Sequence, residues 1–104
     1  MLNSKQRSNL RSIASTLEPV FQLGKVSVGE DDGIFSETFL KAVDEALEAR
    51  ELIKITVLNN SEEEAKWVAG DLAEALNAEV VCTIGHKVVL YRKSNKKGIE
   101  HIVF

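Results

Sequence analysis

The spacing of apolar residues along the chain predicts three helices and four strands. Apolar side chains recur every three or four residues in the segments 4–16, 36–49 and 61–76, which is the spacing of a helix with one buried side. Short apolar runs rich in β-branched residues occupy 19–23, 52–58, 79–84 and 87–92 and predict strands. The elements therefore follow the order α-β-α-β-α-β-β.

Polar residues and glycines indicate where several of these elements begin and end. Ser4 or Asn3 can cap the first helix, and the run Ser61-Glu62-Glu63-Glu64 is a capping box for the third. Gly85-His86 separates the last two strands, and glycine in the first position of a two-residue connection suits a type II′ turn. The last two strands should therefore pair as an antiparallel hairpin.

The element order predicts the fold class. Helices that connect successive strands serve as crossovers, so we expect an α/β domain with a mixed four-stranded sheet packed with helices. With 104 residues, 44% of them hydrophobic, the chain can build one compact core. We expect one domain over residues 1–94 and a C-terminal tail over 95–104, disordered at least in Asn95-Lys96-Lys97-Gly98.

Charge is distributed unevenly along the chain. The formal net charge is −3, but residues 1–29 carry four basic side chains and one acidic one, a net charge of +3. Residues 87–104 carry five basic side chains and one acidic one, a net charge of +4. Residues 30–86 carry four basic side chains and fourteen acidic ones, a net charge of −10. If the two ends meet in the fold, they form a basic face on an acidic body.

The sequence signals for a catalytic or a metal site are weak. Cys82 is the single cysteine, lies in a predicted strand among valines, and should be buried with a raised pKa. A thiol site with His86 lacks a third partner at a recognisable spacing. The acids Glu30-Asp31-Asp32 lack the alternating ligands of a calcium loop and fit a solvated loop better. We therefore predict no enzyme, no metal and no cofactor.

The apolar runs also bear on location. None approaches the roughly 18 to 20 residues that a membrane span needs, and the first residues lack the apolar segment of a signal peptide. We expect a cytoplasmic monomer with no membrane partner.

Phosphate binding is a more open question. Gly24-Lys25 follows a predicted strand, so the backbone could approach a phosphate beside a lysine, but neither a Walker loop nor GxGxxG is present. Nucleotide hydrolysis is therefore not expected. Lys87, Arg92 and Lys93 either contact phosphates or serve as solvated charges that keep an edge strand from aggregating.

Three segments, in this order along the chain, resemble the signature blocks of the CRM domain, as found in the bacterial YhbY/YqeI family. They are Pro19-Val20-Phe21-Gln22-Leu23-Gly24-Lys25, Leu47-Glu48-Ala49-Arg50-Glu51-Leu52-Ile53-Lys54 and Ile84-Gly85-His86-Lys87-Val88-Val89-Leu90-Tyr91-Arg92. Together with the basic first helix, Lys5-Gln6-Arg7-Ser8-Asn9-Leu10-Arg11, the resemblance covers nearly the whole chain.

The resemblance implies a fold like the C-terminal domain of the third translation initiation factor. It also implies binding of ribosomal RNA in the precursor of the large ribosomal subunit, with no DNA partner expected. In this family RNA lies on a basic face formed by the first helix, a GxxG loop and the last hairpin, where the basic residues of this chain are concentrated. The predicted RNA contacts are Lys5, Arg7, Arg11, Gly24, Lys25, Ser27, Lys54, Lys87, Arg92 and Lys93.

The loop departs from the family pattern at one position. Ser27 stands where the family has its second glycine, and a serine adopts fewer backbone conformations than glycine. Lys25 would then carry more of the phosphate contact. A protein-interaction adaptor on the ribosome or on an assembly factor, which docks through Trp67 or the acidic second helix, is the alternative function, with RNA binding weakened by the altered loop.

Overall fold

The computed structural model describes residues 2–23, 37–57, 62–95, 98 and 101–102, and its elements follow the predicted order. The seven elements are α1 (Ser4–Ala14), β1 (Phe21–Leu23), α2 (Glu37–Arg50), β2 (Leu52–Val57), α3 (Glu62–Leu76), β3 (Glu79–Ile84) and β4 (Lys87–Tyr91).

The four strands form one mixed sheet in the order β1-β2-β4-β3, which confirms the predicted fold class. β1 runs parallel to β2, while β4 pairs antiparallel with both β2 and β3. Because directly paired residues point to the same side of a sheet, the register defines rows of side chains across the strands. One such row is Gln22, Thr56, Lys87 and Ile84.

Helices cover both faces of the sheet. α2 and α3 pack on one face, here the α2/α3 face, around Ile53, Ile55 and Leu90. α1 packs on the other, here the α1 face, where Leu10 and Ala14 are fully buried. The remaining buried residues of the α1 face are Leu52, Val81, Val89 and Tyr91.

Capping and turn residues explain several element boundaries. Asn3, one of the two predicted caps, begins α1: its Oδ1 accepts from the amide of Gln6 at 2.8 Å, and Gln6 Oε1 accepts from the amide of Asn3 at 3.0 Å. In the hairpin turn, Gly85 has a φ of 58° and His86 a negative one, as a type II′ turn requires. The predicted capping residue Ser61 lies outside the described residues.

A β-bulge interrupts β3. Val80 pairs with Leu90 and Cys82 with the next residue of β4, Val89, so Val81 is an extra residue in the ladder. Val80 packs with the α2/α3 face, whereas both Val81 and Cys82 pack with the α1 face. The bulge therefore turns two consecutive side chains towards α1.

Several residues of the tail contact the rest of the protein. Of the segment 95–98, for which we predicted disorder, the structure describes Asn95 and Gly98, and the amide of Asn95 donates to Glu48 Oε2 at 2.9 Å. Glu51, fully buried and in the left-handed region with a φ of 65°, accepts hydrogen bonds from the amides of Ser94 at 2.7 Å and Ile102 at 2.8 Å. His101 Nδ1 lies 2.6 Å from the same carboxylate. We call these contacts the Glu51 clasp. The boundary at residue 94 stays a prediction.

Within the part of the chain that the structure describes, no helix combines the length and the apolar character needed to cross a membrane.

Candidate nucleic-acid interface

The two arginines of α1 lie along the flank of the helix that borders β3. Leu10 and Ala14 point into the sheet, and Arg7 and Arg11, one helical turn apart, are exposed beside this buried stripe. Arg7 Nη2 lies 3.9 Å from Glu79 Oε2, and both side chains are substantially exposed. Such an ion pair is weak, so Arg7 remains able to bind another anion. Lys5 is exposed on the same helix.

A groove of about 270 Å³ runs between this flank and the edge strand β3. We call it the α1–β3 groove, and its lining residues are Ser4, Arg7, Ser8, Arg11, Val81 and Cys82. Burial raises the pKa of the Cys82 thiol, and the positive charges of Arg11 and Lys54 offset part of this rise. Both cations are therefore close to the floor of the groove.

Lys54 lies deeper than the other predicted cations. It stands opposite Val89 on the α1 face and is only 7% exposed, and its ammonium donates to the carbonyl of Leu17 at 3.0 Å. Among the described residues no carboxylate forms an ion pair with it. Lys54 thus adds positive charge beneath the surface and tethers the segment that follows α1.

Beyond the end of α1, the row of paired residues nearest the β3–β4 turn is accessible to solvent. Gln22, Ile84 and Lys87 are exposed and Thr56 is half-buried, although all four belong to the α1 face. Lys87 therefore extends the cationic surface from α1 onto the uncovered sheet, next to the strand end that leads into the predicted loop at Gly24.

For some predicted contact residues the position relative to this surface is not tested. Gly24, Lys25 and Ser27, the predicted phosphate loop, lie outside the described residues. Lys93 is exposed just after β4, and its place beside the α1 flank stays a prediction.

Arg92 points away from the α1 face. Its Nη1 donates to the carbonyl of Leu76 at 2.8 Å and lies 2.8 Å from Asp44 Oδ1, and its Nη2 lies 3.7 Å from Glu48 Oε1. Only 15% of the side chain is exposed. Tyr91, the last residue of β4, packs on the α1 face, and the residue that follows it points to the opposite side. Arg92 therefore joins α2 to the end of α3. This role was not predicted from the sequence.

Two further features were not predicted from the sequence. Ser4 and Ser8 line the groove, and their spacing of four residues on a helix that also carries two arginines was the signal available. The Glu51 clasp had no such signal, because its partners lie 43 to 51 residues away along the chain.

The fold and this surface together define a class of protein: a small α/β binding module with a cationic helix on an acidic body. In the described residues no three histidine, cysteine or acidic side chains come together in a group that could hold a metal. The chain belongs to the CRS1/YhbY (CRM) domain family, whose pattern matches residues 2–92.

Similar proteins are known from bacteria and an archaeon. The chain is 45% identical over 101 residues to the "Probable RNA-binding protein YqeI" of Bacillus subtilis, covering 96% of this chain and 98% of that protein. It is 33% identical over 99 residues to an "RNA-binding protein" of Haemophilus influenzae, covering 95% and 93%. It is 38% identical over 93 residues to the "Probable RNA-binding protein MJ0652" of Methanocaldococcus jannaschii, covering 88% and 63%.

A solved structure has the same fold. The solution structure of the hypothetical protein SAV1595 from Staphylococcus aureus superposes with a TM-score of 0.75 and is 41% identical, covering 98% of this chain and all of that one.

Proposed function

We propose that this protein binds RNA, and that its target is ribosomal RNA in the precursor of the large ribosomal subunit. The observation that carries the proposal is the exposed cationic surface on the α1 side of a protein with a net charge of −3. Its described members are Lys5, Arg7, Arg11 and Lys87. The family and the names of its relatives support an RNA ligand, and the resemblance of the signature blocks supports the ribosomal target.

The proposed contacts act mainly on the phosphate backbone. Arginines and lysines displace the counterions that surround nucleic acid, which makes the affinity depend steeply on salt. Arg92 is left out of the contact set because α2 and α3 engage its guanidinium. The set that we propose is Lys5, Arg7, Arg11, Gly24, Lys25, Ser27, Lys87 and Lys93. Lys54, which is buried and bonded to the carbonyl of Leu17, contributes positive charge from beneath the surface and no direct contact.

A binding titration tests the RNA part of this proposal. Fluorescence anisotropy with ribosomal RNA fragments at several salt concentrations would compare the wild type with the double variant Arg11→Glu/Lys87→Glu. We expect at least tenfold weaker binding at low salt and a shallower salt dependence, by about 0.7–0.9 in log–log slope for each phosphate that is no longer neutralised.

The matched control reverses two exposed lysines on the acidic helices, Lys41→Glu/Lys66→Glu. This variant has the same net charge as the test variant, so it measures the effect of overall charge alone. Equal loss of affinity in both variants would contradict a localised RNA surface.

Crosslinking of the protein to RNA in cells, followed by sequencing of the bound RNA, tests the target. Large-subunit precursor RNA should be enriched with the wild type and lost with Arg11→Glu/Lys87→Glu. Enrichment of a different RNA would overturn the ribosomal target and leave RNA binding intact. No enriched RNA would favour the adaptor function, for which Trp67, 40% exposed, is the first residue to change.

A further inference from the structure

The floor of the α1–β3 groove is apolar. It is formed by Val81 and Cys82, which the β-bulge brings side by side onto the α1 face. Because its pKa is raised, the thiol is neutral near pH 7, so the floor presents no charge to a ligand. A flat, uncharged group such as a nucleobase is suited to such a floor.

The walls of the groove supply polar groups on one side. Arg7 and Arg11 provide planar guanidinium groups that can stack on a base or hold a phosphate with two parallel hydrogen bonds. Ser4 and Ser8 provide hydroxyls that can donate to or accept from the edge of a base. Glu79 lies beside Arg7, whereas no carboxylate forms an ion pair with Arg11 among the described residues. A phosphate is therefore better placed beside Arg11.

The volume of the groove matches a small ligand. Its volume of 270 Å³ is just under the range of about 300–1,000 Å³ typical of pockets for drug-sized ligands, so it suits one small planar group. In an RNA duplex the bases are stacked inside the helix, and only the backbone and groove edges meet a protein. A duplex could touch the rim of the groove but could not place a base on its floor.

We infer that the α1–β3 groove receives one unpaired nucleotide of the bound RNA, with the base on the floor of Val81 and Cys82 and the phosphate beside Arg11. The inference rests on the RNA binding proposed above and adds the class of RNA: one with a looped-out or single-stranded nucleotide. Lys5 and Lys87 would then hold the neighbouring backbone.

Cys82 allows a direct test of where the base lies, since it is the single cysteine of the chain. Two hairpin RNAs of the same composition would carry one photoreactive 4-thiouridine, either in the loop or paired in the stem. After irradiation, mass spectrometry would identify the crosslinked peptide. We expect a crosslink at Cys82 from the loop position only, absent in Cys82→Ser. Equal crosslinking from the stem, or none from the loop, overturns the inference.

A groove-filling variant tests the same inference through affinity. Ser8→Trp fills the groove without changing charge, and Ser12→Trp places the same side chain at an exposed position of α1 that does not line it. We expect Ser8→Trp to weaken binding of the loop RNA at least tenfold and binding of a perfect duplex less than twofold. Ser12→Trp should change neither affinity.

The results separate this inference from the proposed function. If the wild type binds loop and duplex RNA equally and Ser8→Trp changes neither, the groove is not a nucleotide site, but RNA binding stands. If the wild type binds none of these RNAs, the proposed function fails together with the inference.

Discussion

At the scale of single residues, Glu51 shows how a buried charge can be kept ionised. Burial raises the pKa of this carboxyl group, but hydrogen bonds from the Ser94 amide, the His101 ring and the Ile102 amide outweigh that effect. The net result is a pKa below its ordinary value of 4.5. A carboxyl group whose pKa falls on folding stabilises the folded state above its unfolded pKa, and this contribution is lost as the pH falls through the folded pKa.

Glu51→Gln should therefore destabilise the protein at neutral pH. An amide has one oxygen where the carboxylate has two, so at least one buried donor loses its acceptor, at a cost of about 1–3 kcal/mol. Urea unfolding at pH 7 measures this cost, and repeating it below pH 4.5 should show the difference from the wild type shrinking. Glu45→Gln, at an exposed position of α2, is the control. An equal loss at every pH would contradict the ionised clasp.

The sequence shows which residues are charged but not where each charge lies in the fold. The exposure of Lys5, Arg7 and Arg11 was predictable because none of them belongs to the buried stripe of α1, but the position of the two arginines beside that stripe, facing β3, was not. The burial of Arg92 could not be predicted, because its surroundings depend on how α2 and α3 pack on the sheet. The charge of each residue can be read from the sequence. Its exposure could be predicted only where the helical repeat determined it.

At the scale of elements, the bulge in β3 shows the limit of strand patterns. Regular alternation would place Cys82 on the same face as Val80, but the extra residue Val81 moves it to the face of α1. The limits of β3 and the turn at Gly85 were predictable because local residues determine them. The bulge depends on the pairing of β3 with β4, which local sequence does not reveal.

Deleting Val81 should remove the bulge without changing the rest of the hairpin. The turn still pairs Cys82 with Val89, and Val80 with Leu90, so the ladder becomes regular. We expect a folded protein that is less stable by about 1.5–3 kcal/mol, the value of one buried apolar side chain. Circular dichroism and urea unfolding measure this. Deleting Val89 should unfold the protein, because Val89 pairs regularly with Lys54 of β2 and its loss shifts one half of the β2–β4 ladder by one residue. Similar results for both deletions would contradict the assigned register.

At the scale of the whole molecule, the order of elements and the mixed sheet followed from sequence patterns, and the course of the tail did not. Asn95-Lys96-Lys97-Gly98 has the composition of a disordered segment, but the described residues around it are anchored. The Ser94 hydroxyl donates to the carbonyl of Glu48 at 2.6 Å, and Ile102 packs beside the core of the α1 face. These anchors belong to α2, its C-terminal junction and the sheet, all of which are far from the tail along the chain.

A chain ending at Lys93 should therefore be less stable, even though the family match ends at residue 92. Removing the hydrogen bonds to Glu51 and the apolar packing of Ile102 should cost about 2–4 kcal/mol. The same truncation in a Glu51→Gln background should cost clearly less, because the two changes remove the same bonds. Urea unfolding of the four proteins gives this coupling, and simple additivity would show that the tail is anchored elsewhere.

The backbone of Glu51 is held in an unfavourable conformation, and a variant that relieves it measures what the side chain contributes. A side-chain-bearing residue with a φ of 65° is held in a conformation that costs about 1–2 kcal/mol and that glycine adopts freely. Glu51→Gly would recover this strain and remove every side-chain bond to the tail. If the glycine variant is less stable than the wild type, the difference plus the recovered strain gives the contribution of the carboxylate. The junction then keeps an unfavourable backbone conformation because its side chain anchors the tail to the C-terminal end of α2.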